Sequence, residues 1–310
     1  MAASQTINGK AFEWATAERL SSLTAVVVKK SQASEYARSC FESLSQEIRV
    51  EMSKAAQSAV EHIYQLEHLE SVAINGDIEI AEDKKGQSGD VRDVILPTAK
   101  GSIGISCKNN HDAFKHSRLS GTIDFVSKWG LAKSGCTDIY WNDIQQLFVE
   151  LDGIRTKTNG KATWRELPNL HSHVYKPLMQ AFSNEILRQS NNSPGTSKEL
   201  CEGMVRYLIG HQDFYKVIRR SSKKLVEVQG FNLSGSLSCS HCKLPSRVLD
   251  IESVSDSTIN LVMDRGYSFS FRIHSAKSTV ESSLKLDITA IGLPQGIYTH
   301  HSKYLLLSNP

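Results

Sequence analysis

The sequence contains no apolar stretch approaching the roughly 20 residues that a membrane-spanning helix requires; runs such as TAVVVKK at 24–30 stop far short of it. The opening MAASQTINGKAFEWA has no charged segment followed by a continuous apolar block, so no secretory signal is expected and the expected location is the cytoplasm. Internal repeats and low-complexity tracts are missing too, and a soluble globular protein is expected. The six cysteines, at 40, 107, 136, 201, 239 and 242, lack the spacing of a disulfide-stapled scaffold, and in a chain of 310 residues this favours reduced thiols. The close pair in CSHC at 239–242 is at most half of a zinc site, because only the isolated Cys201, His211 or His241 could complete it. A strong charge bias is also absent. A net charge of +3 does not by itself point to nucleic acid.

What is present is an apolar fraction of 40%, enough for a real core in one large domain or two ordinary ones. Residues 9–69 return apolar side chains at three and four positions, a helical period, with Asn8 as the expected N-cap. The period then changes. DIEIAED at 77–83 alternates, KKGQSG turns, VRDVIL runs apolar, PTAKGS turns and IGISC follows, which predicts a three-stranded antiparallel meander. Helical text resumes at 112, 134–166 is mixed, and 170–189 reads as a helix ending in the loop SNNSPGTSK. After a short helix, ELCEGMVRYLIG, the remainder is strand-rich: DFYKVIRR, LVEVQGF, RVLDIES, TINLVMD, YSFSFRIHSA and SLKLDITAIG. Basic residues gather locally, with six Lys or Arg against one Asp in 206–224, and with Lys108, Lys115, Arg118 and Lys128 beside two histidines in 108–128. A solvated charged face is the plain alternative for each cluster.

The meander carries charge where burial is expected, at Asp90, Asp93 and Lys108 in GDVRDVILPTAKGSIGISCKNN. With the turn centred on Ala99 and Lys100, facing residue numbers add to about 199, which sets Asp93 opposite Ser106. Residues two apart on a strand share a face, so Lys108 joins them; a slip of one residue would undo this. Phosphodiester hydrolysis needs that combination. A divalent cation offsets phosphate charge and makes water a better nucleophile, carboxylate oxygens are the ligands for Mg²⁺, and a neighbouring lysine can stabilise the transition state. Asp93 is the preferred ligand because it leads directly into VIL, with Asp90 second. Otherwise Asp90 caps the turn and Lys108 snorkels from an edge strand. Helices, meander and a further helix follow the αβββαβ order of the PD-(D/E)xK nucleases.

Beyond the hairpin, five separated stretches carry a resemblance in one order along nearly the whole chain: NGKAFEWA at 8–15, GDVRDVIL at 89–96, IGISCKNNHDAFKHSRLS at 103–120, RYLIGHQDFYKVI at 206–218 and FRIHSAKSTVESSLKLDI at 271–288. The sequence resembles the HaeIII-type type II restriction endonucleases. The resemblance implies the PD-(D/E)xK fold, cleavage of double-stranded DNA at GGCC, and a cognate DNA methyltransferase that protects the host. Carried over by position, Asp90 and Asp93 fall on the family's acidic strand and Lys108 on its catalytic lysine, while Glu13 lies on the first helix, where a glutamate often completes the metal site. The acid of the wider superfamily two residues before the lysine is here Ser106, a poor Mg²⁺ ligand. Glu13 or Asp90 is expected to supply the missing charge, with Glu61 and Glu67 as weaker substitutes and expected surface groups.

For DNA contact, a helix starting near Asp112 is expected to present Lys115, His116 and Arg118 to phosphates. His111 could meet the scissile phosphate or assist proton transfer, the alternative for each histidine being a cap or a buried hydrogen bond. Alternation in YSFSFRIHSA puts Ser270, Arg272 and His274 on one face, opposite Phe269, Phe271 and Ile273. An arginine on guanine O6 and N7 is the commonest specific major-groove contact. Lys277, Lys285, Lys216 and Arg219 are assigned to backbone phosphates, a solvent-facing strand edge being the alternative. The expected organisation is α/β: a catalytic core over 1–190, including the N-terminal helices, and a strand-rich recognition part over 191–310, packed as one globule. The expected function is Mg²⁺-dependent restriction cleavage, by a twofold dimer or by one active site acting twice. A DNA-binding protein that lost catalysis and a structure-specific repair nuclease are the alternatives.

Overall fold

The protein is described by a computed structural model over residues 2–82, 90–110, 117–131 and 134–304. In chain order come α1 (Ala2–Thr24), α2 (Gln32–Glu42), α3 (Gln46–Leu66), β1 (Glu79–Ile80), β2 (Val94–Thr98), β3 (Gly101–Asn109), β4 (Ser117–Ser120), α4 (Phe125–Lys128) and α5 (Asp138–Lys157). A π-helical turn at His171–Tyr175 leads into α6 (Lys176–Asn192), followed by α7 (Pro194–Ile209), β5 (Phe214–Arg220), β6 (Leu225–Phe231), β7 (Val248–Ser255), β8 (Thr258–Met263), β9 (Ser268–His274), β10 (Ser283–Gly292) and β11 (Tyr298–Lys303). The described residues thus make a mixed α/β protein with seven α-helices and two sheets.

The helical text over 9–69 resolves into three helices, with the side chains of Ser31 and Ser45 accepting from the first turns of α2 and α3. Asn8 is not a cap. It lies inside α1, because AASQTI ahead of it already continues the helix. The meander forms as read: β1 pairs antiparallel with β2 and β2 with β3, with Val94 facing Ile105 and Ile95 facing Gly104. Strand pairing runs through Pro97 and Thr98, so the turn narrows to Ala99 and Lys100.

The first sheet has the order β1-β2-β3-β5-β6-β11. Its core face, with Val94, Leu96, Ile103, Ile105, Val217 and Val228, packs against Ala11, Phe12 and Ala15 of α1 and Met52, Ala55 and Ala59 of α3. The small alanines on both helices let their backbones lie close to the strands. The second sheet, β4-β10-β9-β8-β7, is antiparallel throughout. Its Phe271 joins an interlocked aromatic group with Phe182 and Trp129, which Phe125 and Tyr140 extend. Gly203 of α7 is required there: a Cβ at this position would lie 1.5 Å from the Trp129 carbonyl oxygen.

β3 and β5 are parallel neighbours, and a parallel pair needs a long crossover. The chain supplies it by leaving after β3, building most of a second unit, and returning at β5. The two compact units are therefore discontinuous: one comprises 1–112, 210–243 and 295–310, the other 113–209 and 244–294. A single boundary near 190 does not describe this division, and the loop expected over 190–198 reduces to Ser193 between α6 and α7. Three other readings change. Arg118 lies on β4 rather than on a helix, most of the mixed 134–166 segment is the helix α5, and β11, with no apolar alternation to announce it, completes the first sheet. The expected turn at 84–89 lies outside the described residues. No helix among the described residues is long and apolar enough to cross a membrane.

Candidate active site

Asp93 sits immediately before β2 with its backbone tied on both sides: its N–H donates to the Ile105 carbonyl and its own carbonyl accepts from the Ala81 N–H, each at 2.9 Å. Anchored in this way, the side chain reaches across to β3. Oδ2 accepts the Cys107 N–H at 2.7 Å and the Ser106 hydroxyl at 3.1 Å, and the Lys108 ammonium lies 3.6 Å from the same oxygen. The aspartate and lysine expected to meet across the hairpin do meet. Ser106, only 1% exposed, holds the carboxylate by donating to it, a role that an acid at this position could not perform when ionised.

Glu13 belongs to the same electrostatic group. It projects from α1, which packs on β3 and whose Thr16 accompanies the Cys107 thiol at 3.5 Å. Its side chain is paired with Lys10, one helical turn earlier, at 3.0 Å. Burial, and next the charge of Asp93, push the Glu13 carboxyl up to about 8 against the opposing pull of Lys10 and Lys108. Asp93 in turn holds the Lys108 ammonium above its ordinary value despite partial burial, and burial together with the Asp93 charge drives the Cys107 thiol well above its own. The lysine is a fixed cation and the thiol an inert neighbour.

The buried Glu13, whose ionisation the neighbouring Asp93 charge opposes, and the half-buried Asp93 form a place where a further cation is favourable, and their hard oxygens suit Mg²⁺. No three His, Cys, Asp or Glu side chains among the described residues gather as a metal cluster. Mg²⁺ is commonly held by one or two carboxylates, with waters and substrate phosphate completing its shell. Asp90 is placed differently. Arg92 grips both of its oxygens, at 2.8 and 2.7 Å, and continues to Ser102 at 2.8 Å. The arginine crosses over Gly104, where a Cβ would lie 2.0 Å from the Arg92 Cδ. Among the acids considered as replacements at Ser106, Glu13 interacts electrostatically with Asp93 and Lys108. Glu61 pairs with Arg19, and Glu67 is buried rather than a surface charge, accepting from Ser238 and Tyr215.

The residues assigned to DNA separate into groups. Lys216 and Arg219 are each 4% exposed and are not surface cations. Lys216 lies in the sheet beside Ser106, while Arg219 binds Glu51 and the Asn109 side chain, both at 2.6 Å, as part of a buried network with Lys224 and Tyr304. His111, Lys115 and His116 lie outside the described residues. The alternation in β9 holds: Phe269, Phe271 and Ile273 are buried, and Arg272 emerges on the opposite face with a 62% exposed side chain. On that face Arg118, Lys285 and His274 stand in one row across β4, β10 and β9. Arg118 donates to Ser283 at 2.8 Å and lies 3.5 Å from Glu281, and Lys277 is exposed between β9 and β10. The six cysteines are buried free thiols, Cys239 and Cys242 among them.

Sequence reasoning missed Lys10, Arg92 and Asp287. Lys10 was legible as an i,i+3 partner of Glu13, and Asp287 as the polar alternate after Lys285 in SLKLDITA. Arg92 gave no signal, because its role depends on the open space above Gly104.

An acidic and basic pair meets across a hairpin close to a buried glutamate of the first helix, and the second sheet carries a row of basic side chains on one face. The chain belongs to the HaeIII restriction endonuclease family, whose sequence profile matches residues 9–294. It is 34% identical to the type II restriction enzyme HaeIII of Haemophilus aegyptius, over 94% of this chain and 95% of that protein. Membership makes it a type II restriction endonuclease, a site-specific deoxyribonuclease. No solved structure matches it.

Proposed function

We propose that the chain hydrolyses double-stranded DNA at GGCC, cutting one phosphodiester in each strand to leave 5′-phosphate and 3′-hydroxyl ends, and that α1 with β1, β2, β3 and β5 is a PD-(D/E)xK core. The observation that carries this reading is the Lys108 ammonium 3.6 Å from Asp93, next to a buried Glu13. Asp93 and Glu13 would hold Mg²⁺, which when bound supplies charge neutralisation at the phosphate and a more nucleophilic water. The Ser106 hydroxyl and Cys107 N–H fix the direction of the Asp93 carboxylate. Lys10 steadies Glu13. Lys108 offers a permanent positive charge to the phosphoryl oxygens as negative charge accumulates on them. Asp90 serves the site by orienting Arg92 rather than as a ligand. His111, directly beyond β3, keeps its proposed role at the scissile phosphate or in proton transfer, and Lys115 and His116 theirs at neighbouring phosphates.

The cationic face of the second sheet reads the sequence: Arg272 and His274 at base edges, Arg118, Lys277 and Lys285 at phosphates. The enzyme works in the cytoplasm, where a cognate methyltransferase protects the host's own GGCC sites. A twofold homodimer, or one active site used twice, serves the two strands of the palindrome. The test is digestion of a fully sequenced plasmid with Mg²⁺ or with EDTA, followed by mapping of the fragment ends. Ends at every GGCC, and none in EDTA, are expected. Binding without metal-dependent cutting, or cutting confined to branched or damaged DNA, would replace this function with one of the two alternatives.

A further inference from the structure

The face assigned to DNA carries a carboxylate at its centre. Asp287 of β10 lies directly opposite Arg272 of β9, and Lys285, two residues earlier on the same face, lies opposite His274. All three basic side chains converge on that one carboxylate: Arg272 Nη2 is 3.2 Å and His274 Nε2 2.8 Å from Oδ2, and Lys285 Nζ is 3.3 Å from Oδ1. An acid on a surface that meets phosphate opposes binding, since it repels every sequence equally. Its presence needs a compensating role. Asp287 is well placed for one. Its side chain is 23% exposed, and although burial works against its charge, the close approach of His274, the Arg272 hydrogen bond and the positive charge of Lys285 hold its carboxyl below the ordinary range. His274 is fixed from the other side as well, with Nδ1 2.8 Å from the Ser275 carbonyl oxygen, so each ring nitrogen faces an acceptor. Arg272, the most exposed of the three, is held through Nη2 while the guanidinium keeps further N–H donors for a second partner.

Resting on the assignment of this face to DNA, we propose that Asp287 is a specificity-determining positioning residue: it aims Arg272 and His274 at base edges and lowers affinity for DNA in general. A guanidinium free to rotate would serve any phosphate. One pinned against a carboxylate can pay the cost of leaving its partner only by making a matched contact, and this converts a general cation into a selective one. Lys285, sharing the same carboxylate, is restrained in the same way.

The experiment compares Asp287→Asn and Asp287→Glu with the unaltered enzyme, after thermal melts establish folding. Cleavage rates are measured on GGCC and on duplexes with one base pair of the site changed, and affinity on a duplex without the site over a range of salt. Asp287→Asn is expected to bind the siteless duplex several-fold more tightly, with a steeper salt dependence, and to lose roughly 10- to 100-fold in discrimination, the range of one bidentate base contact. Asp287→Glu keeps the charge but displaces it by a methylene, so its affinity for the siteless duplex should stay at the starting level while discrimination falls. Discrimination unchanged in both variants overturns the proposal, as does an equal loss of rate on every sequence, which marks a merely structural acid. Arg272→Ala separates this failure from that of the underlying assignment: if it alters neither affinity nor discrimination, the face itself does not meet DNA.

Discussion

Replacing Glu13 with Gln should make the protein more stable and the enzyme inactive, and the size of the first effect follows from the site's electrostatics. In the unfolded chain the Glu13 carboxyl ionises at its ordinary value of 4.5; in the folded chain burial and the Asp93 charge raise this to about 8. Between those values the folded protein retains a proton that the unfolded chain has released. Stability is therefore fully present below 4.5 and falls as pH rises towards 8, by about 1.4 kcal/mol per pH unit. By pH 7 the accumulated cost is about 3 kcal/mol. Glutamine has nearly the same shape and no proton to lose, so the variant avoids that cost. Denaturant titrations in EDTA from pH 5.5 to 8 should show Glu13→Gln gaining on the unaltered protein at that slope, with a midpoint of thermal unfolding roughly 5 °C higher at pH 7. Cleavage in Mg²⁺ should drop by at least about 100-fold, because a neutral amide offers a divalent cation little. A stability difference that does not change with pH, or a variant that cuts at the original rate, would refute the placement of Glu13 beside Asp93 as a functional acid.

Lys108→Ala should lose at least about 100-fold in cleavage while retaining affinity for a GGCC duplex in filter binding, since it removes a transition-state charge and leaves the second sheet intact. Arg219→Met should behave in the opposite sense: leaving Glu51 with Lys224 and Tyr304 alone costs about 3 kcal/mol of stability, read by denaturant unfolding, with the salt dependence of DNA binding unchanged. A flatter salt dependence would return Arg219 to the DNA surface. Gly203→Ala should destabilise by about 1–3 kcal/mol or more, seen as a lower melting temperature, because α7 must move away from the Trp129 carbonyl.

The part of the site built from neighbouring strands was legible in the sequence because a two-residue turn fixes a register. Once Ala99 and Lys100 are the turn, Asp93 must face Ser106, and no distant contact can alter that pairing. The same local rule identified the exposed side of β9, where alternation alone separates Arg272 from Phe271. What the sequence concealed depends on partners far away along the chain. Lys216 and Arg219 sit in DFYKVIRR, a strand whose charges look like a solvated edge; instead β5 is enclosed between β3 and β6, and Arg219 finds Glu51 more than 160 residues earlier. The unit boundaries were hidden for the same reason. Composition records a change of local structure, such as the helix-to-strand shift near 200, but the division is set by the parallel pairing of β3 with β5, which obliges one unit to be inserted within the other.

The insertion also fixes how the chain passes between the two units. Both ends of the crossover emerge at the catalytic strands: one follows β3, which carries Ser106 and Lys108, and the other enters β5, whose Lys216 stands in register with Ser106. A nuclease whose recognition unit followed its catalytic unit in sequence would have a single covalent connection, and usually a mobile one. Here the chain passes between the two units at 112–113, 209–210, 243–244 and 294–295. For the proposed role of Asp287, single-turnover cleavage and equilibrium binding of Asp287→Asn at GGCC and at altered sites are measured separately, and the loss of discrimination is expected in the ratio of cleavage rates; a ratio equal to that of the unaltered enzyme would refute it.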